Sequence, residues 1–454
     1  MPYVSTNPAT GQVEATFDDF DDGEVDRRLG LASNAFAIWR GTPIDIRARH
    51  MITAAELLEG EVPAVAEMLT REMGKTFAAA KGEVAKCALT MRYYAEHGPS
   101  IIADELISSP ASRSGVRYDP LGPVLAIMPW NFPLWQVIRF AAPALMAGNV
   151  GVLKHASNVP QSAIFLEGLF KRAGFPDGCF VNLLIPGSRV SSVIEDDRIA
   201  AVTITGSEAA GQSVAATAGH ALKKCVLELG GSDPFIVADS ADLDVCVPLA
   251  VTGRVQNNGQ SCIAAKRFIV VESRAAEFTE RFSAAMDALV VGDPMDPATV
   301  VGPLVSAAQR AEIAGQVDDA LASGAVVTAG GVALDGPGFF YRPTVLTGVT
   351  DKMRAGTEEI FGPVAVVYTV DDLTQAIELG NATPWGLGSS LWATAEDEQR
   401  QGIEQLEAGM VFVNAIVAST PELPFGGIKR SGYGRELAAT GMREFTNAKT
   451  FYVA

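Results

Sequence analysis

The stretch Gln256-Asn257-Asn258-Gly259-Gln260-Ser261-Cys262 places one cysteine at the end of a run of amide side chains and a glycine. Structural cysteines usually lie inside apolar strands or helices, because a buried thiol behaves as a small hydrophobe. Cys262 instead closes a polar, turn-prone segment whose backbone amides are free to face an anion. A thiol becomes a nucleophile when its charge is stabilised in this way. Cys262 is therefore a candidate nucleophile, with a merely accessible thiol as the alternative.

Two further segments have residue types suited to chemistry. Glu228 ends an apolar run directly before Gly230-Gly231, where a carboxylate at the rim of a sheet can take a proton from water. A helix cap or a salt bridge is the alternative for Glu228. The segment 206–211 places two glycines around a predicted helix start, and backbone N–H groups there could meet a phosphate. An ordinary tight turn is the alternative, because neither GxGxxG nor GxxxxGK[ST] occurs.

These residues need a framework, and 122–231 alternates short apolar strands with helices. Strands are predicted at 124–128, 150–153, 180–184, 200–205 and 224–228, with helices at 134–146, 162–173, from 188, and at 209–218. This alternation predicts a parallel sheet covered on both faces, which binds ligands beyond the carboxyl ends of its strands. Polar or glycine residues follow those ends at 129–131, 154–155, 206–207 and 228–231.

The rest of the chain is predicted to complete the molecule around this sheet. The first hundred residues are predicted to be helical, at 46–58, 62–73 and 77–97 and along a face of Val25, Leu29, Ala32, Phe36 and Trp39. A second α/β unit runs from 233 to about 417, with strands at 235–237, 268–271, 326–327, 364–368 and 410–413. Because Cys262 lies in this second unit, we expect the active site in a cleft between two domains.

Two extended segments predict an arm. Residues 108–119 are turn-rich between short extended pieces, as in a projecting hairpin, and such arms commonly serve assembly. The tail, 443–454, is predicted to be a strand that pairs with the 108–119 arm of another subunit.

Composition excludes several classes of function. The net charge of −18 and a pI near 4.7 argue against nucleic acid or an anionic membrane surface as partner. Five scattered cysteines and four scattered histidines predict no metal site. The first five residues lack the basic start and apolar core of a signal peptide, and no apolar run approaches the ~20 residues of a membrane helix. We expect a cytoplasmic protein.

Five motifs in order resemble the aldehyde dehydrogenase superfamily. They are Pro129-Trp130-Asn131-Phe132-Pro133, Glu228-Leu229-Gly230-Gly231, Asn258-Gly259-Gln260-Ser261-Cys262, Glu359-Ile360-Phe361-Gly362-Pro363 and Pro424-Phe425-Gly426-Gly427-Ile428-Lys429. The likeness runs from Asn7 to the last predicted strand and is strongest to short bacterial succinate-semialdehyde dehydrogenases.

The resemblance implies an α/β fold in three parts. A Rossmann-type parallel-sheet domain for the cofactor comprises residues 1–105 and 121–230, and a second α/β domain, 231–418, is catalytic. Residues 106–120 and 435–454 form a small β oligomerisation arm, with 419–434 as a linking segment. The implied assembly is a homodimer or homotetramer.

The resemblance also implies catalytic roles that the chemistry justifies. Cys262 attacks the aldehyde carbon, and the Asn131 side-chain amide and the Cys262 backbone N–H stabilise the resulting oxyanion. Hydride transfer then leaves a thioester, and Glu228 activates the water that hydrolyses it.

For the cofactor, the resemblance assigns Lys154 to the adenosine ribose and Glu359 to the nicotinamide ribose. The other implied contacts are Pro129, Trp130, Ser157, Gly206, Ser207, Gly211, Leu229 and Phe361. NAD-preferring relatives often carry a glutamate three residues after the lysine, where this chain has Ser157. Losing that carboxylate removes repulsion toward a 2′-phosphate, so NADP is the favoured coenzyme and NAD the alternative, although no arginine partner for the phosphate stands nearby.

The substrate is predicted from Arg139, which follows Pro133 by six residues on an otherwise apolar helix. An arginine can hold a carboxylate through two parallel hydrogen bonds, so Arg139 is predicted to bind the distal carboxylate of a semialdehyde. Ser419 or Thr420 would add a hydroxyl, and Gln256 and Phe425 complete the predicted substrate site. Some relatives have a second arginine where this chain has Gln256. A structural ion pair is the alternative for Arg139.

The sequence leaves three other functions to consider. A broad-specificity dehydrogenase for uncharged aldehydes would use the same chemistry with a structural Arg139. A catalytically silent structural relative would have no need for Cys262, Glu228 and Asn131 together. A cofactor-free thiol hydrolase would need a histidine activator, and none lies at a position that the family supports.

Overall fold

The computed structural model describes residues 3–454. Its helices, in chain order, are α1 (Asp22–Trp39), α2 (Ile44–Gly60), α3 (Val62–Met73), α4 (Phe77–Ile101), α5 (Trp135–Ala147), α6 (Pro160–Arg172), α7 (Val190–Glu195), α8 (Glu208–His220), α9 (Leu243–Val255), α10 (Glu272–Asp287), α11 (Ala307–Ala322), α12 (Arg354–Thr357), α13 (Leu373–Asn381), α14 (Glu396–Gln405) and α15 (Ala438–Glu444).

The strands, in chain order, are β1 (Tyr3–Asn7), β2 (Gln12–Phe17), β3 (Glu105–Leu106), β4 (Arg113–Pro120), β5 (Pro123–Met128), β6 (Val150–His155), β7 (Phe180–Asn182), β8 (Ala201–Thr205), β9 (Lys224–Glu228), β10 (Pro234–Val237), β11 (Arg267–Val271), β12 (Val326–Ala329), β13 (Thr344–Thr347), β14 (Val364–Val370), β15 (Trp385–Gly386), β16 (Gly388–Trp392), β17 (Met410–Val413), β18 (Ile428–Lys429), β19 (Gly432–Tyr433) and β20 (Thr446–Val453).

The first large sheet has the strand order β19-β9-β8-β5-β6-β7. Its five strands from β9 to β7 run parallel to one another. Strands β5 and β8 are apolar and almost wholly buried, as expected for a sheet covered on both faces. Every residue of α5 is buried. The predicted parallel sheet is confirmed, with β19 as an antiparallel edge strand.

The second sheet has the order β12-β13-β14-β11-β10-β16-β17 and is parallel except for the edge pair β12–β13. Two of its strands, β13 and β16, were not predicted. In β16 the residues Gly388, Ser389 and Ser390 are buried without an apolar signal, which explains why the pattern failed there.

The third sheet is the arm, with the order β20-β4-β3. Strand β20 pairs antiparallel with β4 of the same chain over eight residues, from Thr446↔Pro120 to Val453↔Arg113. The prediction that the tail pairs with another subunit's arm is therefore wrong, because the chain closes this sheet by itself.

The amino-terminal region also differs from expectation. A β-hairpin, β1–β2, precedes α1, so the first hundred residues are not all helical. Helix α1 begins after Asp21, whose carboxylate accepts a hydrogen bond from the Glu24 amide at 2.8 Å. Its buried face includes Val25, Leu29 and Trp39, as predicted. No helix in residues 3–454 is long and apolar enough to cross a membrane.

Candidate active site

The cysteine loop follows α9 and is bent by three consecutive residues with positive φ. Asn257, Asn258 and Gly259 have φ values of 55°, 58° and 75°. Asparagine and glycine tolerate this left-handed conformation better than other residues do. A Cβ at Gly259 would collide with the backbone of Gly362, so the cysteine motif and the 359–363 motif pack backbone to backbone.

Side chains from several elements hold this loop in place. Asn258 Nδ2 donates to the carbonyls of Gly74 at 2.8 Å and Pro303 at 3.0 Å. Arg254 Nη2 donates to the Gly259 carbonyl at 2.7 Å, and Lys266 Nζ donates to the Cys262 carbonyl at 2.7 Å. The loop is polar because its turns need these partners.

Asn131 lies against the same loop. Its Nδ2 donates to the Gln260 carbonyl at 3.2 Å, and its own carbonyl accepts from Asn257 Nδ2 at 2.7 Å. In the described part of the chain the Cys262 backbone N–H donates to no acceptor. Asn131 and Cys262 therefore lie at one place, with an amide donor from each available to a substrate oxygen.

Cys262 lines two cavities at once. One, of about 300 Å³, is bounded by α4, α5 and the loop at 418–425. The other, of about 250 Å³, lies beyond the carboxyl ends of β5, β8 and β9. Cys262 and Gln136 are the residues common to both linings. The Cys262 sulfur can therefore contact one ligand in each of the two cavities.

The surroundings of the Cys262 thiol favour its neutral form. Burial raises its pKa to about 11, while Arg139 and Lys266 lower it and Glu359 and Asp233 raise it. The sequence predicted a stabilised thiolate, but in this structure burial has the larger effect. The thiol must therefore lose its proton as it reacts.

Glu228 is buried at the end of β9, 2% exposed. Neither of its carboxylate oxygens has a hydrogen-bond partner within residues 3–454. Burial and then the Glu436 carboxylate hold its pKa well above the usual range, and the Arg139 and Arg435 charges act in the opposite direction. An unpartnered buried carboxyl with a raised pKa has the properties of a general base.

Seven residues predicted to contact the cofactor line the 250 Å³ cavity with Asn131 and Cys262: Pro129, Trp130, Gly206, Ser207, Leu229, Glu359 and Phe361. The Trp130 and Phe361 rings meet edge to face at 5.7 Å. The Glu359 carboxylate accepts from the Gly231 amide at 3.2 Å and pairs with Lys266 at 3.2 Å.

The other three predicted cofactor residues lie outside that lining. Gly211 is inside α8 and faces Leu229, where a Cβ would collide with the leucine side chain, so its visible role is packing. Lys154 is the next-to-last residue of β6, and Ser157 follows in an exposed turn. Burial lowers the pKa of Lys154, and its ammonium has no ion-pair or hydrogen-bond partner among the described residues. An unpaired cation fits the ribose or phosphate of a dinucleotide.

Arg139 lines the 300 Å³ cavity but is already paired. Its Nη2 donates to Thr205 Oγ1 at 3.1 Å, its Nε contacts the Glu436 carboxylate, and its guanidinium lies 4.4 Å from the centre of the Phe425 ring. These contacts support the alternative of a structural ion pair. Binding of a substrate carboxylate by Arg139 stays a prediction.

The remaining predicted substrate residues divide into two groups. Gln256, Ser419 and Phe425 line the 300 Å³ cavity, and the Gln256 Nε2 is buried without a hydrogen-bond partner in the described structure. Thr420 is not part of this lining. Of Ser419 and Thr420, the lining includes Ser419.

Two polar residues of the cavity escaped the sequence analysis. Gln136 lies on α5 between both cavities. Lys86 lies on α4 and projects among Trp135, Ser419 and Cys262 in the cavity lining. Lys86 belongs to none of the predicted motifs, so only the packing of α4 against α5 distinguishes it. No cluster of three His, Cys, Asp or Glu side chains suited to a metal ion occurs in residues 3–454.

Comparison with known proteins gives a consistent result over the whole length. A protein family described as "Aldehyde dehydrogenase family" matches residues 2–451. Succinate-semialdehyde dehydrogenase [NADP(+)] 1 from Mycobacterium tuberculosis is 56% identical over 457 residues, covering 100% of both chains. The protein of the same name from Mycobacterium ulcerans is 57% identical, again over 100% of both. The crystal structure of succinic semialdehyde dehydrogenase from Streptococcus pyogenes with NADP+ is similar with a TM-score of 0.97, 38% identity and 99% coverage of each chain.

Proposed function

This chain belongs to the aldehyde dehydrogenase family, and from that membership we propose that it oxidises succinate semialdehyde to succinate with NADP. The observation that carries the proposal is the position of Cys262 at the junction of two cavities. One cavity is bounded by the residues that the family assigns to the coenzyme. The other is lined by apolar rings and a few polar groups, as is usual for a small-molecule site.

Cys262 is the nucleophile of the proposed reaction. Its Sγ forms a bond to the aldehyde carbon, and the carbonyl oxygen becomes an alkoxide. The Asn131 Nδ2 and the Cys262 amide are the proposed donors to that oxygen, and a preorganised donor of this kind contributes about 3–4 kcal/mol to lowering the barrier. Burial keeps the free thiol neutral, so its proton is released to solvent as the bond between Sγ and the aldehyde carbon forms.

Bound NADP supplies the hydride acceptor for this reaction. The chain's residues hold it beside Cys262: we assign Lys154 to the adenosine ribose, Glu359 to the nicotinamide ribose, and Trp130 and Phe361 to the path between. Ser157 leaves room for a 2′-phosphate, in keeping with the NADP named in the mycobacterial and streptococcal proteins.

Glu228 is the proposed base for the second half-reaction. Loss of hydride leaves a thioester on Cys262, and a water molecule must attack its carbon. Glu228 takes a proton from that water, and the carbon–sulfur bond breaks. Glu228 then returns the proton to the departing Cys262 thiolate, and succinate is released with loss of its acid proton. The unpartnered carboxylate oxygens of Glu228 support this role, since a base must be free to accept a proton.

We also propose the finer features that accompany this activity. The three-part division at 1–105 with 121–230, 231–418, and 106–120 with 435–454 agrees with the membership of the three large sheets, although β19 at 432–433 extends the first sheet from the linking segment. The arm is the proposed site of homodimer or homotetramer formation. All five cysteines are free, which is in keeping with the reducing cytoplasm.

Initial-rate kinetics test the proposal. The rate of reduced-coenzyme formation is compared for succinate semialdehyde, glutarate semialdehyde and butanal, as NADPH with NADP and as NADH with NAD. We expect the highest kcat/KM with succinate semialdehyde and NADP. Equal values for butanal would favour a broad-specificity enzyme, and no reduced coenzyme with any aldehyde would refute a dehydrogenase.

A further inference from the structure

The cavity on the substrate side of Cys262 contains two cations with different surroundings. The Arg139 guanidinium contacts the Glu436 carboxylate and donates to Thr205 Oγ1. Lys86 Nζ donates to Ser419 Oγ at 2.6 Å and lies 4.1 Å from the centre of the Trp135 ring. A hydroxyl and an aromatic face solvate an ammonium group, but neither neutralises its charge.

The nearest carboxylate on the same helix, that of Glu83, already has other partners. Glu83, three residues before Lys86, accepts from the Leu134 amide at 2.8 Å and the Trp135 amide at 2.9 Å, and its other oxygen pairs with Lys75. Within residues 3–454, Lys86 forms no ion pair of its own. Buried or half-buried cations normally have an anionic partner, because desolvating an unpaired charge is unfavourable.

Two further polar groups of the cavity complete a site for an anion. The Gln256 Nε2 is buried without a hydrogen-bond partner, and the Ser419 hydroxyl already contacts Lys86. A carboxylate has two oxygens that each accept hydrogen bonds, so an ammonium, an amide and a hydroxyl suit it. The rest of the cavity is lined by apolar groups such as Phe132, Trp135 and Ile263, which fit a methylene chain.

We propose that Lys86 is the specificity-determining residue that binds the distal carboxylate of the substrate, with Gln256 and Ser419 as hydrogen-bond donors. This assignment rests on the proposed semialdehyde oxidation and adds a residue outside the five family motifs. The substrate carboxylate then supplies the negative charge that the protein does not. Arg139 differs from Lys86 because its charge is already balanced by the Glu436 carboxylate.

The ionisation of Lys86 gives this proposal a signature. Burial and then the Arg139 charge lower its pKa to about 8, with Cys87, Glu83 and Cys262 acting in the opposite direction. The cationic form binds the carboxylate, so binding is strongest below pH 8 and weakens above it. The ratio of kcat/KM for succinate semialdehyde to that for butanal cancels the ionisation of Cys262, which both aldehydes share. This ratio is expected to fall as pH rises through about 8.

The experiment compares Lys86→Met with Lys81→Met. Met keeps the length of the side chain and removes its charge, and Lys81 is an exposed lysine of the same helix. For K86M we expect the ratio of the two kcat/KM values to fall about 10- to 100-fold, as loss of a charge-assisted hydrogen bond predicts, and its pH dependence to disappear. For K81M we expect the wild-type ratio.

A binding measurement separates this proposal from the proposed function. Calorimetric titration with succinate needs no turnover, and we expect K86M to bind succinate at least about 10-fold more weakly than the wild type does. If wild type oxidises succinate semialdehyde but K86M keeps the wild-type ratio and succinate affinity, Lys86 is not the anchor and the function stands. If wild type oxidises no aldehyde while K86M weakens succinate binding, the carboxylate site stands and the proposed reaction fails. The proposal is also overturned if K86M lowers kcat/KM equally for succinate semialdehyde and butanal and leaves the affinity for succinate unchanged.

Discussion

At Cys262, reactivity is set by the competition between burial and nearby cations. Burial raises the thiol pKa to about 11, and the charges of Arg139 and Lys266 only partly offset it. The thiolate is the reactive form, and it becomes populated as the pH approaches that value. In the free enzyme, alkylation of Cys262 by iodoacetamide should therefore accelerate by about tenfold per pH unit between pH 7 and 9.

Peptide mapping after timed alkylation measures that rate at Cys262 itself. The Cys262→Ala variant serves as the control, because Cys225 is also incompletely buried and has a raised pKa of about 11. A rate that is already constant above pH 7 would show that the thiolate is stabilised in the free enzyme, and would contradict the environment described here.

In the proposed reaction, Glu228 acts in the second half-reaction and not in the first. Replacing it by Gln keeps the shape and removes the base, so the thioester should form normally and hydrolyse slowly. We expect kcat to fall by about 10²- to 10⁴-fold, with a burst close to one NADPH per active site. Stopped-flow absorbance of NADPH checks this. If the variant lost the NADPH burst as well as the steady-state rate, Glu228 would act in the first half-reaction.

At the scale of elements, the start of α5 depends on a carboxylate from α4. Glu83 accepts from the amides of Leu134 and Trp135, and it pairs with Lys75, which is 1% exposed. The helix has no side-chain cap of its own. Asn131 precedes these amides by three and four residues, so Glu83 holds the proposed oxyanion donor in place as well as the helix.

Glu83→Ala should therefore lower both stability and activity. Removing one partner leaves the Lys75 charge buried, which typically reduces the free energy of unfolding by about 3–5 kcal/mol. Urea unfolding measures this, and Lys81→Met is a control on the exposed side of the same helix. A loss below about 1 kcal/mol would show that the Lys75–Glu83 pair is replaceable by water.

Regular elements were predictable where side-chain periodicity and burial agree. Helix α3 and strands β9 and β17 have the bounds predicted from the sequence. Strand β16 was missed because its buried residues include glycine and serine. For the candidate site, the sequence predicted Cys262, Asn131 and Glu228 from family motifs, and their catalytic roles stay predictions. Lys86 was not predicted, because its environment arises only when α4 packs on α5.

At the scale of the whole molecule, the arm joins residues more than 300 positions apart. No local pattern could show that β20 pairs with β4 of its own chain. The arm carries apolar side chains that are largely exposed, including Leu106 at 69% and Tyr452 at 60%. Exposed apolar side chains at the end of a projecting sheet indicate a contact surface.

Leu106→Asp combined with Tyr452→Asp should therefore reduce the mass of the assembly. A charge buried at a subunit contact is unfavourable, so we expect a smaller species by light scattering at the same protein concentration. Val13→Asp is the matched control, because Val13 is equally exposed, at 61%, but lies on β2 away from the arm. An unchanged mass would place the subunit contact elsewhere.

The proposed function depends above all on a covalent bond between Cys262 Sγ and the substrate, formed where the two cavities meet. Acid quenching during turnover with succinate semialdehyde and NADP, followed by peptide mass mapping, tests this directly. We expect a succinyl thioester on Cys262 that requires NADP and is absent from the Cys262→Ser variant. NADPH formation with no adduct on Cys262, or an adduct on another residue, would contradict it.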